Sequence, residues 1–491
     1  MIEGAVPFRD FFEVMGPLSF YWPALWFKVL GTSWFTARSL LLTVGALTAS
    51  LLYWSTARVY GRRAATVAAL LCTILGVPLW TANNHHWDSN LFFMIALAAT
   101  TSWSFRQRAG TIVLAGVAAG ITAGFMLQKG ILALAAILLV VLLQTRPNQW
   151  NWRTAIVRAT PPLMGFSAVA AVAVAGFLAA GALGDLYYAN VVWPLTRYRT
   201  LNTVPYAYKL REFFLQSWFA ACDNLPMGLS HIVPCALALP LVAVAVLPLV
   251  GLLATIRQRL SRGRFIEPSS APLWLLGIAL WLAETHRLDM SHLLYGSPIL
   301  AAAVAGALLS AAGTLLFAML RRLLALVVAS ACLLGLWSLA VASAASIKMD
   351  TRRGEVRMHR RDTALAFLHS DTRAGDSLFV YPYYPMYYFL ADVRNPTRYS
   401  ILMYGINTSH QFRDAVLSIE RQSPQYVLWD TLVDGPSLTR WFPAYVHPPQ
   451  NDQLIENYLA ARYSEIRLEN GFRVLRRKPH PLDSPRPVSR W

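Results

Sequence analysis

Four short stretches of this sequence carry side chains able to do chemistry. The first runs from Gly4 to Leu18, where the carboxylates of Asp10 and Glu13 stand among phenylalanines ahead of Gly16-Pro17. A carboxylate at a membrane surface can take the proton of an attacking hydroxyl, so both are candidate catalytic residues. The same acids could instead cap the helix that follows Pro17. The second stretch is Asn83-Asn84-His85-His86-Trp87-Asp88. There His86 and Asp88 either contribute to a polar pocket, or Asp88 is simply an N-cap. Adjacent histidines on extended chain point apart, and no further ligand follows at metal spacing, so the metal ligands stay unknown. The third is Lys129, in Gln128-Lys129-Gly130 between two apolar runs. Its ammonium can hold a phosphate as a point charge, or snorkel to the interface. The fourth is His286-Arg287-Leu288-Asp289-Met290-Ser291-His292. Arg287 either pairs with Asp289 or stabilises an anionic leaving group. So dense a charge cluster at the end of an apolar run is costly unless it is used.

Aromatic side chains surround these stretches. Trp193, Arg197 and Tyr198 lie with Arg199, Tyr206 and Tyr208 in one polar segment, and Tyr381 to Tyr388 holds five tyrosines. Such residues form headgroup belts in any membrane protein. They also line sugar-binding clefts, through stacking and hydroxyl contacts.

The elements that must position these groups are membrane helices. The chain has 491 residues, 56% of them hydrophobic and 14% charged, with mean hydropathy +0.42. That composition describes a polytopic membrane protein and excludes an ordinary soluble globule. The net charge of +18 sits mostly as Arg in short gaps between apolar runs. This is the positive-inside pattern, facing anionic lipid and no nucleic acid. Apolar runs occur at about ten places, near residues 34–54, 64–82, 89–105, 110–127, 131–144, 160–182, 232–256, 271–283, 294–319 and 323–345. Alternate gaps hold Arg58, Arg62 and Arg63; Arg106 and Arg108; Arg146, Arg153 and Arg158; Arg257, Arg259, Arg262 and Arg264; and Arg321 and Arg322. With that set in the cytoplasm, all four chemical stretches, the loop 184–230 and the tail after Ile347 fall outside.

This reading gives an outer acidic and aromatic loop with an interfacial helix over residues 1–33, and a bundle of about ten helices over 34–346. A soluble α/β domain follows over 350–478, then a disordered tail over 479–491. In the domain, helices are expected at 363–370, 410–422 and 454–463, and strands at 377–381 and 425–430. A hairpin is expected at 464–477, turning at Asn470-Gly471. Cys72, Cys222, Cys235 and Cys332 show no CxxC spacing, so neither a disulfide framework nor a structural zinc site is expected. The count of spans places Met1 outside, without a leader, so a first apolar helix is expected upstream of it.

In this order the parts resemble the GT-C membrane glycosyltransferases, in the family 39 branch of protein O-mannosyltransferases and aminoarabinose transferases. The resemblance rests on the acidic-aromatic loop ending in Gly16-Pro17, on Gly31 to Arg38 leading into a span, and on the His/Asp corner at residues 85–88. It rests also on the Gly-rich helix ending in Lys129-Gly130, the late Arg287-x-Asp289-x-x-His292 corner, and the tail phrases Tyr388-Phe389-Leu390 and Asn395-Pro396-Thr397-Arg398. It implies a mainly α polytopic bundle with a small periplasmic α/β domain, in the inner (cell) membrane. It implies a polyprenyl-phosphate sugar as donor, a glycan, lipid or protein acceptor, and a site that admits a divalent metal. Lys129, Arg287, Asp289, His292, His86 and Asp88 then become donor-phosphate or pocket residues, and Trp193, Arg197 and Tyr198 acceptor or sugar contacts. The family's acidic residue just after a first helix is not in this sequence; Asp10 and Glu13 match the second acidic segment of the same loop. Two other classes fit the pattern: a surface-glycan polymerase or ligase, and a non-enzymatic transporter or export scaffold. A transporter should place charges near the midplane, often in two related halves.

Overall fold

The structure, a computed structural model, describes residues 1–79, 81–144, 151–208, 210, 229–262, 267–310, 315–431, 433 and 435–479. Cys222, Arg146, Arg264, residues 211–228 of the expected outer loop, and residues 480–491 of the Pro-rich end lie outside the described residues.

Helix α1 (Leu18–Leu30) begins after Pro17 and stops at Gly31, whose φ of 85° suits a residue without a Cβ. The apolar runs then lie on helices α2 (Trp34–Tyr60), α3 (Arg62–Ile74), α4 (His85–Arg106), α5 (Ala109–Phe125), α6 (Leu127–Leu143) and α7 (Trp152–Ala179). They continue on α8 (Leu229–Arg262), α9 (Ala271–Glu284), α10 (Met290–Gly296), α11 (Pro298–Ser310) and α12 (Leu315–Ser343). The chain bends by 61° between α10 and α11, where Pro298 withdraws a backbone donor. Among the described residues, four helices are long and apolar enough to cross a membrane, or five if the bent pair is one span. Helices α5, α6 and α9 are apolar but shorter.

Two kinds of apolar surface hold the bundle. Leu52, Phe93, Leu97, Ile137, Trp274, Leu280 and Leu300 form a shared interior. Val157, Val172 and Leu178 of α7, and Leu315, Leu336 and Leu339 of α12, face outward and exposed. An apolar outer face is what a lipid-facing helix presents, since lipid tails cost it nothing.

After α12 the composition turns polar and the fold becomes α/β. A hairpin, β1 (Ile347–Thr351) and β2 (Gly354–Met358), comes first. A four-stranded sheet follows in the order β3 (Leu378–Tyr381), β4 (Tyr426–Asp430), β6 (Phe472–Arg477), β5 (Tyr463–Glu469). Strands β3 and β4 are parallel, and the other neighbours antiparallel. Helices α13 (Thr363–Asp371), α14 (Ser409–Gln422) and α15 (Leu454–Arg462) complete the domain. Asn470 and Gly471 turn the last hairpin, both at positive φ, as the Asn-Gly pair leads one to expect. The β1–β2 hairpin was not expected; the sequence reading carried the last span nearly to its first residue.

The domain is tied to the membrane part by the chain's first loop and by the segment after α7. Phe12 and Trp193 are buried in the same cluster as Phe379, Tyr399, Phe412 and Ile455 of the domain. The Phe12 N–H donates to the Arg398 carbonyl at 2.7 Å.

Candidate functional site

The site begins at the N-terminus of α4. Asn84 caps this helix: its side-chain oxygen accepts from the N–H groups of His86 and Trp87 at 3.0 and 3.1 Å. The expectation of Asp88 as the cap is therefore corrected, because the helix starts a turn earlier. Asp88 lies within the first turn and is buried, as is His86.

Lys129 enters from the first turn of α6, and its side chain is completely buried. Gly130 makes this possible: a Cβ there would lie 2.4 Å from the Ala123 nitrogen and 2.5 Å from the Ala119 carbonyl oxygen. A side chain would push α6 away from α5 at the level of Lys129. The ammonium donates to Ser89 Oγ at 2.9 Å and Asn90 Oδ1 at 3.0 Å, and lies 2.5 Å from Glu284 Oε1. Lys129 therefore does not snorkel. Glu284 is the last residue of α9, 1% exposed, and its Oε2 lies 2.9 Å from His86 Nδ1. A buried acid, a buried lysine and a buried histidine thus meet where three helices end. In a medium that penalises isolated charge, only such pairing makes them tolerable.

The chain turns immediately after Glu284. His286 stacks parallel to His86 with ring centroids 6.1 Å apart, and lies 4.8 Å from the ring of His292. Burial pushes the His286 imidazole down to about 4, so it is neutral at pH 7. Asp289 caps α10 by accepting from the His292 N–H at 3.1 Å, and it also binds His292 Nδ1 at 2.7 Å. Burial opposes its ionisation, but the bond from His292 and the charge of Arg287 hold its carboxyl well below the usual range. Arg287 is buried and fully committed. Its Nε donates to Asp289 at 2.5 Å, Nη1 to the Asn202 side chain at 2.6 Å, and Nη2 to the Trp441 carbonyl at 2.6 Å. The guanidinium also lies 5.0 Å from the Phe442 ring centroid. One side chain therefore joins the α9–α10 corner, the segment after α7 and the C-terminal domain.

The first loop approaches this corner from the other side. The Gly16 N–H donates to the Phe125 carbonyl at 3.1 Å, at the end of α5 and one turn before Lys129. A Cβ at Gly16 would lie 2.4 Å from the Gly124 oxygen, so only glycine sits this close. Neither acid of the loop caps α1, which has no side-chain cap. Asp10 accepts from Arg9 at 2.7 Å and from the Val6 N–H at 2.7 Å, and these bonds hold it at about 2. Such a carboxylate is a weak base. Glu13 instead bonds the Ser400 hydroxyl of the domain, and burial raises its carboxyl above the ordinary range.

Of the residues singled out from sequence, His86, Lys129, Arg287, Asp289 and His292 thus share one corner, linked through Glu284, Asp289 and the stacked histidines. Asp88 is buried on the same helix end. Tyr198 reaches the corner, with its ring 5.8 Å from His286, and burial pushes its phenol up to about 12. Trp193 is buried against the domain and donates to the Ile406 carbonyl at 3.2 Å, whereas Arg197 is exposed. Asp10 and Glu13 bond to partners outside the histidine corner. Sequence reasoning passed over Glu284, Ser89, Asn90 and Asn202. The available signal was Glu284 itself: an acid ending an apolar run on the side of Lys129 needs a partner.

No family model and no curated protein matches the sequence. Solved structures do match the fold. The crystal structure of the apo Archaeoglobus fulgidus oligosaccharyltransferase aligns with a TM-score of 0.50 at 12% identity, over 87% of this chain and 63% of that one. This chain therefore spans less than two thirds of that enzyme's length. ArnT from Cupriavidus metallidurans, in a crystal structure with undecaprenyl phosphate, aligns with a TM-score of 0.48 at 12% identity, over 94% of this chain and 87% of that one. Both are glycosyltransferases of the GT-C superfamily. At such identity the oligosaccharyltransferase likeness shows a shared fold: a helical membrane bundle of the GT-C kind with a C-terminal domain.

Proposed function

We propose that this chain is a membrane glycosyltransferase of the GT-C kind. It moves a sugar from a polyprenyl-phosphate donor to a hydroxyl of a lipid, glycan or protein acceptor. The reaction takes place on the periplasmic or extracellular face of the cell membrane. The observation that carries the reading is Lys129, a fully buried ammonium held by Ser89, Asn90 and Glu284 at the end of an apolar bundle. A cation fixed in a dry site beside a lipid-facing surface suits a phosphate on a lipid tail. As the acceptor oxygen bonds to the anomeric carbon, the carbon–oxygen bond to the lipid phosphate breaks, and the phosphate leaves with the electron pair. Lys129 offsets the charge that develops there. The hydroxyl proton passes to a carboxylate of the first loop. Of the two acids there, Glu13 is the stronger base, because burial raises its affinity for a proton while Arg9 and Val6 lower that of Asp10. Glu13 bonds Ser400 outside the histidine corner, so it takes the proton only when the acceptor displaces that hydroxyl.

The ionisable groups gather where α4 and α6 begin and α9 ends, not midway along helices, which counts against a transporter. The Arg-rich gaps on the opposite side support an outward-facing site. The test is release of free polyprenyl phosphate, measured by mass spectrometry. Purified protein in liposomes is supplied with a panel of polyprenyl-phosphate hexoses and pentoses and a cell-envelope extract as acceptor. The wild-type protein should release it from at least one donor, and Lys129→Gln should be about 100- to 1000-fold slower. No release from any donor, or equal rates in the two proteins, would refute the proposal.

A further inference from the structure

The segment that follows β3 carries a surface that the mechanism above does not use. Tyr383, Tyr384, Pro385 and Met386 are all exposed, the two tyrosines at 41% and 43%. We propose that Tyr383 and Tyr384 form a platform on which an uncharged sugar ring of the acceptor stacks. That the sugar belongs to the acceptor rests on the glycosyltransferase reading above; the platform itself does not.

Four observations carry it. First, the two hydroxyls differ from those of their neighbours. Tyr381 and Tyr404 donate to Glu456, Tyr387 to Asp362 and Tyr399 to Asp414, and Tyr388 accepts from the Val380 N–H. Among the described residues, the hydroxyls of Tyr383 and Tyr384 have no such partner, so each ring offers a ligand both an apolar face and a polar tip. Second, Tyr384 has a φ of 146°, a conformation that side chains with a Cβ rarely adopt. Strain of this kind gathers at ligand sites. Contacts with Tyr387 and Phe472, at centroid distances of 5.8 and 5.7 Å, fix the ring although it stays exposed. Third, the rings of Tyr383 and Tyr384 lie 6.3 Å apart with their planes at 58°, and so cup a ligand from two sides. Fourth, Tyr383 pairs with Ile401 through an antiparallel bridge, and the Leu402 N–H donates to the Pro382 carbonyl at 3.0 Å. This lays the platform beside Ser400, whose hydroxyl bonds Glu13. A sugar stacked there can bring one of its own hydroxyls to Glu13 in place of that of Ser400.

Charge selects the ligand. The carboxylate of Glu13 acts on Tyr383, and those of Asp430 and Asp362 on Tyr384. Burial first, and these carboxylates second, hold both phenols above their ordinary range, so both keep the proton they donate. Negative charge on every side repels a phosphate or an anionic lipid headgroup. A neutral sugar, with a C–H face to stack and hydroxyls at its rim, meets no such penalty.

The full-length protein is purified in a detergent without a sugar headgroup. Saturation-transfer NMR is recorded with the methyl glycosides of glucose, galactose, mannose and N-acetylglucosamine, and with cellobiose and chitobiose. The wild-type protein should transfer saturation to the ring C–H protons of at least one of them. Tyr383→Ala and Tyr384→Gly should each weaken binding about 2- to 10-fold, and the double variant should remove the signal. Tyr383→Phe, which keeps the ring, should bind more tightly than Tyr383→Ala. Tyr384→Gly guards against misfolding, because glycine adopts a φ of 146° freely and its melting temperature should not fall. No transfer to any of these sugars in the wild type, or equal transfer in the wild type and the folded double variant, overturns the proposal. Tyrosines that merely belong to a headgroup belt would give one of those two results. The measurement needs neither donor nor turnover, so its failure would leave polyprenyl phosphate release standing, and a protein that releases none could still pass it.

Discussion

Arg287→Ala should act on the junction between the bundle and the C-terminal domain before it acts on any ligand. The guanidinium spends Nε on Asp289, Nη1 on Asn202 and Nη2 on the Trp441 carbonyl, and lies over Phe442. Its side chain is 9% exposed and that of Asp289 15%. Removing one partner of a buried pair costs about 3–5 kcal/mol, because the other charge stays buried. Arg287→Lys keeps a point charge near Asp289 but cannot reach all three acceptors. Each buried acceptor left unmade costs about 1–3 kcal/mol, so the lysine variant should fall between. The assay is equilibrium denaturation in detergent micelles, with hydrogen exchange followed over residues 435–445. The alanine variant should lose stability in that range, and exchange there should speed up. A loss below about 1 kcal/mol with unchanged exchange is what a wet surface pair gives, and would refute the reasoning. If activity then still fell 100-fold, Arg287 would be a phosphate contact in its own right.

Two other substitutions probe the supports of the corner. Gly130→Val should separate α5 from α6 and displace Lys129, because its Cβ would lie 2.4 Å from backbone. Lower thermal stability together with transfer near the level of Lys129→Gln is expected, checked by melting and by polyprenyl phosphate release. Glu13 sets a pH dependence. Its folded carboxyl is raised above the ordinary 4.5 by burial. The stability it contributes is therefore complete below about 4.5 and is lost as pH rises through the folded value. Wild-type melting temperature should fall with rising pH above 4.5 more steeply than that of Glu13→Gln, and parallel curves would remove Glu13 as the cause.

Much of the fold was legible because hydrophobic runs and turn residues act locally. The Asn470-Gly471 hairpin and the helix over residues 410–422 follow from residues close together in the chain, whereas the bend before Pro298, inside the run read as 294–319, was not expected. The β1–β2 hairpin was missed because Ile347 follows an apolar helix without a turn signal. A cap was one of the two readings of Asp88, yet Asn84 stands where α4 begins. Four of the chemical stretches lay on one side in the Arg count, and the structure joins three of them at one corner. The centre of that corner was not legible. Glu284 meets His86 and Lys129 across about 200 and 155 residues of chain, and no spacing rule encodes such a meeting. The same is true of Arg287, whose partners Asn202 and Trp441 come from two other parts of the chain.

The central claim is that a lipid phosphate sits at the corner of His86, Lys129 and His292. Photo-crosslinking tests it most directly. A polyprenyl phosphate with a diazirine on the isoprene unit next to the phosphate is irradiated with purified protein in liposomes, and the labelled peptides are mapped by mass spectrometry. Labels should fall in residues 85–90, 127–130 and 284–297, and excess unlabelled polyprenyl phosphate should remove them. Labelling confined to other helices, or unaffected by the competitor, would contradict the account.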